Sequence, residues 1–205
     1  MFGLLGANGA GKTTTLRLLC GLVRSTSGEI ALDGQDVSSE AYRDVLGYLP
    51  QDFGYYPDFT GRDFLRYLAA LKDIDNQTVE ARIADLLERV NLTEAAGKKV
   101  KTYSGGMRRR LGIAQALLGE PCFLVLDEPT AGLDPKERAH FRNMIANLGK
   151  DRIVLLSTHI VSDIEKIADR ILIMKDGSII FDGTEANIGG DLEAFYLKQF
   201  GGEQA

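Results

Sequence analysis

A glycine-rich segment close to the first residue combines the residue types that bind phosphate. Residues 6–13, Gly-Ala-Asn-Gly-Ala-Gly-Lys-Thr, match the spacing G-x4-G-K-S/T. Glycines let consecutive backbone N–H groups point inward around an anion, and the positive end of the following helix adds to the attraction. Lys12 is expected to contact the β- and γ-phosphates of a nucleotide, and the Thr13 hydroxyl to bind Mg²⁺. The alternative is a glycine-rich turn with a solvated lysine. The predicted nucleotide-binding residues are Gly6, Asn8, Gly9, Ala10, Gly11, Lys12, Thr13 and Thr14.

Two carboxylates follow an apolar run in the middle of the chain. The run 123–126 reads Phe-Leu-Val-Leu, and Asp127 and Glu128 come directly after it. Sheets of α/β proteins place their ligands at the ends of such buried strands. Asp127 is predicted to bind Mg²⁺, and Glu128 to polarise the water that attacks the γ-phosphate. Pro129 is expected to hold Glu128 extended. An acid pair alone is more often a solvated strand end, but the phosphate-binding loop favours the catalytic interpretation.

The elements that position these residues alternate between strand and helix patterns. Strands are predicted up to Leu5 and at 29–32, 46–49, 123–126 and 153–156, with a hairpin from 171 to 181, and helices at 12–21, after Thr60, at 79–90, from Gly105 and from Asp191. The predicted fold is an α/β P-loop NTPase core with a mostly parallel sheet, made by residues 1–54 and 119–205. A helical subdomain at 55–118 interrupts it. The tail 201–205 is expected to fray.

Composition and charge exclude several classes of protein. The 205 residues are 44% hydrophobic and 26% charged, which excludes wholesale disorder and collagen. With 24 Lys and Arg against 29 Asp and Glu, the net charge is -5, so no nucleic-acid partner is expected. The apolar runs are shorter than the roughly 18 residues of a membrane-spanning helix. The first residues lack the pattern of a secretion signal, so a cytoplasmic location is expected.

A serine followed by two glycines lies between the two motifs. The order of the phosphate-binding loop, Ser104-Gly105-Gly106 and the acid pair resembles that of the ATP-binding cassette (ABC) family, whose signature is written LSGGQ. Tyr103 and Met107 depart from that pattern in the manner of ATPase subunits of drug-resistance exporters with separate membrane subunits. In the family, two cassettes pack head to tail, which implies that Ser104, Gly105 and Gly106 bind the γ-phosphate held by a second ATPase subunit. Seen alone, the pentapeptide is equally consistent with a serine-capped helix.

Three further residues match the family by their place in the motif order. Gln51 resembles the glutamine that contacts Mg²⁺ and senses the membrane subunit. Asp134 resembles an aspartate of the dimer interface, and His159 resembles the histidine that contacts the γ-phosphate. The resemblance therefore implies that Glu128, His159 and Gln51 are catalytic, with ATP as nucleotide and Mg²⁺ bound by Thr13, Gln51 and Asp127. It also implies antiparallel strands and an adenine-stacking aromatic upstream of Gly6, which this sequence does not include.

Aromatic residues concentrate just after Gln51. Phe53, Tyr55, Tyr56 and Phe59 fall within seven residues. They could form an exposed socket for a cytoplasmic helix of a membrane-spanning subunit, or they could anchor the helical subdomain. The sequence leaves both interpretations open.

The function that these features favour is ATP hydrolysis by a subunit of a transporter, most consistent with an exporter. The subunit is expected on the cytoplasmic face of the membrane, paired with a membrane-spanning subunit and a second ATPase subunit in a homodimer or heterodimer. Two alternatives remain open at this point. One is a soluble ABC ATPase that acts on nucleic acid or the ribosome, and the other is a nucleotide-binding module that does not hydrolyse ATP.

Overall fold

A six-stranded sheet forms the centre of the protein. The computed structural model describes residues 1–200, so the predicted fraying of 201–205 lies outside the described residues. The strands of this sheet are β1 (Phe2–Leu5), β4 (Leu46–Leu49), β5 (Phe123–Asp127), β6 (Ile153–Thr158), β7 (Arg170–Lys175) and β8 (Ser178–Gly183). Their order in the sheet is β4-β5-β6-β1-β7-β8, and every neighbouring pair is parallel except the β7-β8 hairpin. The prediction of an α/β fold with a mostly parallel sheet is confirmed.

The helices and a small hairpin lie around the sheet. The helices are α1 (Lys12–Leu19), α2 (Glu40–Asp44), α3 (Gly61–Leu71), α4 (Val79–Arg89), α5 (Gly105–Leu117), α6 (Pro135–Leu148), α7 (Glu185–Ile188) and α8 (Leu192–Phe200). The strand predicted at 29–32 is shorter than expected, because β2 (Ala31–Leu32) pairs only with β3 (Gln35–Asp36). Among the described residues, no helix has the length and apolar character needed to cross a membrane.

The pairing of β1, β5 and β6 determines where the polar residues meet. These strands are apolar and almost wholly buried, as expected for central strands with helices on both faces. Their register pairs Leu5 with Thr158 and Asp127 with Ser157. Because parallel strands end at the same edge of a sheet, the loop after β1 and the residues after β5 and β6 lie side by side.

The helices α3, α4 and α5 share one apolar core with the sheet. Phe64, Ile83 and Leu111, one from each helix, are fully buried in the same cluster as Leu49 and Leu124 of the sheet. Side chains of Thr60 and Ser104 cap α3 and α5. The helical segment is therefore packed continuously onto the strand β4. The boundaries of a helical subdomain at 55 and 118 stay a prediction.

Gly47 of β4 packs closely against the end of α5. A Cβ atom on Gly47 would overlap the carbonyl oxygen of Ala116 and lie 2.7 Å from Cγ of Pro121. Both neighbours belong to rigid parts of the chain, so a side chain at position 47 forces the α5 end away from the sheet.

We predict that Gly47→Ala lowers the free energy of unfolding by about 1–3 kcal/mol, the usual cost of overpacking. Urea denaturation measures the change. Gly97→Ala is the matched control, because a Cβ there meets no atom within 4 Å and its φ is not positive. Equal stability of the two variants would show that the contact between β4 and α5 is not tight.

Candidate functional site

The glycine-rich loop leaves β1 and wraps back to the start of α1. The Gly6 N–H donates to the carbonyl of Thr158 at 3.3 Å, which fixes the loop to the end of β6. Gly9 and Gly11 have φ values of 85° and 105°, a region that suits glycine. Gly11 caps α1 without a side-chain acceptor. The first N–H groups of α1 therefore point toward the space above the loop, where an anion would be attracted.

Lys12 is held at the centre of this loop. Its side chain is only 6% exposed, and Nζ donates to the carbonyl oxygens of Gly6 at 2.8 Å and Ala7 at 3.1 Å. Nζ also lies 3.3 Å from Oε1 of Glu128. The charge of this buried ammonium is thus balanced by a buried carboxylate.

Glu128 is buried and its backbone is not extended. Its φ is +47°, in the left-handed region that non-glycine residues rarely adopt, so the expectation that Pro129 holds it extended is wrong. Its N–H donates to both the carbonyl and the hydroxyl oxygen of Ser157, each at 3.1 Å. These bonds from the neighbouring strand hold the unfavourable conformation.

His159 meets Glu128 at the edge of the sheet. Its Nδ1 lies 2.9 Å from Oε2 of Glu128, and the histidine side chain is 41% exposed. The two carboxylate oxygens of Glu128 thus face different partners, Lys12 on one side and His159 on the other. Glu128 and His159, which were predicted separately to be catalytic, are in direct contact.

Asp127 lies beneath this pair and is fully buried. Its Oδ1 accepts a hydrogen bond from the Ser157 hydroxyl at 2.6 Å, while Oδ2 has no hydrogen-bond partner among residues 1–200. A buried carboxylate oxygen without a partner is costly unless a cation approaches it. The oxygen donors of Asp127, Thr13 and Gln51 fit a hard cation such as Mg²⁺. These are the three residues predicted to bind it.

A cleft of about 410 Å³ opens above the loop. Its walls are formed by Asn8, Gly9, Gly11, Lys12, Thr13, Thr14, Gln51, Glu128 and His159. Gly6 and Ala10 belong to the loop behind these residues and are buried. The structure thus brings together at one cleft the predicted phosphate-binding residues, the predicted base and the histidine.

The signature residues and Asp134 do not line this cleft. Ser104 caps α5 through a bond from the Met107 N–H at 3.1 Å, and Asp134 caps α6 through one from the Glu137 N–H at 2.9 Å. Both caps are exposed. A Cβ on Gly106 would lie 2.6 Å from Oε2 of Glu137, so the starts of the two helices are neighbours.

A second cleft of about 240 Å³ lies beside the signature helix. Gly105, Gly132 and Gln51 are among its lining residues, so Gln51 lines both clefts. Arg109 of α5 donates to the carbonyl of Pro50 at 3.3 Å, directly before Gln51. Burial lowers the pKa of the Arg109 guanidinium below its ordinary value, although the carboxylates of Asp52, Asp127 and Glu128 oppose that shift.

Sequence reasoning missed Ser157 and Asp163. Ser157 bonds to both Asp127 and Glu128, and Asp163 is a fully buried carboxylate near the same edge. The polar pair Ser157-Thr158 at the end of an apolar strand was the available signal for Ser157. Asp163 had no such signal, because its partners lie on other parts of the chain.

Comparison with known proteins identifies the family. A family model described as ABC transporter matches residues 1–131. The uncharacterized ABC transporter ATP-binding protein YxlF of Bacillus subtilis is 46% identical over 180 residues, covering 88% of this chain and 60% of the relative. The linearmycin resistance ATP-binding protein LnrL of the same organism is 37% identical over 197 residues, covering 93% of this chain and 63% of the relative. The chain therefore spans less than two thirds of the length of these relatives.

Solved structures agree with this assignment. The structure of an ATP-binding subunit of an ABC transporter superposes with a TM-score of 0.85 at 30% identity, covering 98% of this chain and 88% of the other. The family model covers well over half of the chain. The chain therefore belongs to the ABC transporter family of ATP-binding proteins.

Proposed function

We propose that this chain binds and hydrolyses ATP to drive a transporter, and that this transporter is an exporter. The observation that carries the proposal is the contact of Glu128 with both Lys12 and His159 in the cleft above the glycine-rich loop. A general base, a phosphate-binding cation and a polar orienting group are thereby assembled around one position. The resistance function in the name of the relative LnrL supports the direction of transport.

The residues of the cleft have separable roles in this reaction. The loop N–H groups and Lys12 bind the phosphates and neutralise charge on the γ-phosphoryl group. Glu128 orients a water molecule and accepts its proton, and His159 keeps the Glu128 carboxylate aligned. Thr13, Gln51 and Asp127 would hold Mg²⁺, which supplies positive charge to the phosphate oxygens when bound.

The position of the signature supports a reaction that needs two copies. Ser104 and Gly106 lie at the start of α5, outside the cleft that contains Lys12. Their N–H groups and the Ser104 hydroxyl form a second site suited to an anion at an exposed helix start. In a head-to-tail dimer this site would face the γ-phosphate bound by the partner, and Asp134 would lie at the interface. The second subunit is either the same chain or a related one.

An exposed aromatic face supports contact with a membrane-spanning subunit. Tyr55, Tyr56, Phe59 and Tyr67 are each between 36% and 47% exposed. The Tyr56 ring packs tilted against Phe59 and edge-on against Tyr67, and the Phe53 ring packs edge-on against the buried Phe64. One side of this aromatic cluster is therefore anchored to the core through Phe53 and Phe64, and its other side is exposed to solvent. It suits an apolar helix docked beside Gln51, which would place the chain on the cytoplasmic face of the membrane.

Lys12→Ala is expected to remove measurable ATP binding, because Lys12 is the lysine that lines the proposed phosphate-binding cleft. Calorimetric titration with Mg·ATP measures the affinity. The exposed Lys166 provides the control variant Lys166→Ala, which should bind ATP like the unmodified protein. Retained affinity in Lys12→Ala would contradict the phosphate assignment.

Glu128→Gln should lower the rate of phosphate release by about 10² or more, because the amide cannot accept a proton from water. ATP binding should remain, since Lys12 and the loop are unchanged. The exposed Glu185 offers the control Glu185→Gln, for which no change is expected. Turnover of Glu128→Gln at the unmodified rate would exclude Glu128 as the base.

We expect the Glu128→Gln protein to form a dimer with Mg·ATP, and Ser104→Asp in that background to disperse it. Aspartate caps a helix as well as serine does, but its charge repels the partner's γ-phosphate. Light scattering after size exclusion measures the mass. Ser39→Asp changes another capping serine, at the start of α2, and should leave the dimer intact. A dimer that survives Ser104→Asp would mean that the signature does not contact the nucleotide.

A further inference from the structure

Asp163 is a buried carboxylate that none of the predicted roles uses. It lies in a short helical turn after β6, at residues 161–163, and its side chain is fully buried. The hydroxyl of Thr130 donates to its Oδ2 in a short hydrogen bond, and the hydroxyl of Thr158 lies 3.4 Å from the same oxygen. A charged group is costly to bury unless its partners compensate for the lost hydration.

The two threonines are close in sequence to Glu128 and His159. Thr130 follows Glu128 by two residues, and Thr158 directly precedes His159. Thr158 is itself fixed twice, because its carbonyl accepts the Gly6 N–H at 3.3 Å and its hydroxyl accepts the Ile160 N–H at 3.0 Å. One carboxylate therefore joins the two chain segments whose side chains meet at 2.9 Å in the cleft.

A third segment approaches the other oxygen of Asp163. Its Oδ1 has no hydrogen bond among residues 1–200 and lies 3.9 Å from Nε of Arg138, which likewise has none. Arg138 belongs to the first turn of α6, where its N–H donates to the carbonyl of Asp134 at 2.9 Å. The charge of Asp163 thus faces the helix that begins at the predicted dimer interface.

We propose that Asp163 is a positioning residue, which aligns Glu128 with His159 and ties both to the start of α6. The proposal rests on the proposed ATPase function. Glu128 has a left-handed backbone, which is unfavourable unless hydrogen bonds stabilise it. Ser157 bonds to the N–H of Glu128, and Asp163 bonds to Thr130 two residues later, so the turn is held on both sides of the Glu128 side chain. Loss of this bond leaves the nucleotide-binding loop in place but lets the base move relative to the histidine.

The kinetic test compares Thr130→Val with Thr130→Ser. Valine has the shape of threonine without the hydroxyl, and serine keeps the hydroxyl. We expect Thr130→Val and Asp163→Asn to lower kcat by about tenfold or more with KM for ATP changed by less than about twofold, and Thr130→Ser to restore most of kcat. Asp182→Asn is the control, because Asp182 pairs with Arg170 on the far hairpin. Circular dichroism shows whether each variant is folded. If Asp163→Asn does not fold, the comparison of Thr130→Val with Thr130→Ser still tests the proposed role of Asp163.

A spectroscopic test does not depend on turnover. The chain has only two histidines, so long-range ¹H–¹⁵N spectra resolve both rings and His140 serves as an internal reference. We expect the Nδ1 resonance of His159 to move in Thr130→Val and Asp163→Asn and to stay in place in Thr130→Ser, with His140 unchanged. If the unmodified protein fails to hydrolyse ATP, the proposed function is refuted. The His159 resonances would still show whether Asp163 aligns His159 with Glu128. Unchanged His159 resonances, or unchanged kcat in an active protein, would overturn the proposal for Asp163.

Discussion

The parallel pairing of β1, β5 and β6 is the constraint on which the remainder of the structure depends. Each strand ends at the same edge of the sheet, and each is followed by a polar segment of different chemistry. The register pairs Leu5 with Thr158 and Asp127 with Ser157, so the three polar segments begin within one residue of each other along the strand direction. A shift by one residue along any of these strands would reverse the face of every side chain on it and separate Glu128 from His159.

The site concentrates buried charge at this edge. Lys12, Asp127 and Glu128 are each no more than 6% exposed, and Glu128 also has an unfavourable backbone conformation. Burying these charges and keeping this backbone conformation costs free energy, and the surrounding structure offsets that cost, above all through Ser157 and the apolar strands. The same features suit the proposed reaction, because polar groups that are already fixed in place can act on a phosphoryl group without reorganising.

The sequence predicted those parts of the site that depend on local spacing. The glycine-rich loop, the acid pair and the mostly parallel sheet follow from patterns within about ten residues, since strand and helix periodicity are local properties. The backbone of Glu128 could not be predicted, because the bonds from Ser157 outweigh the local preference set by Pro129. Asp163 was missed for the same reason, since its partner Thr130 lies 33 residues away. Interactions set by the fold become visible only once the strands are placed.

Gln51 lies between the phosphate-binding loop and α5. It follows β4 and lines both the cleft above the phosphate loop and the cleft beside the signature helix. Arg109 of that helix bonds to the carbonyl of the preceding Pro50, and Gly47 of β4 packs directly on the end of α5. Because these contacts are close, we expect a movement of α5 relative to the sheet to displace Gln51. In the proposed transporter, a membrane subunit that pushes on the aromatic cluster beside Gln51 would therefore act on the signature and on the nucleotide cleft together.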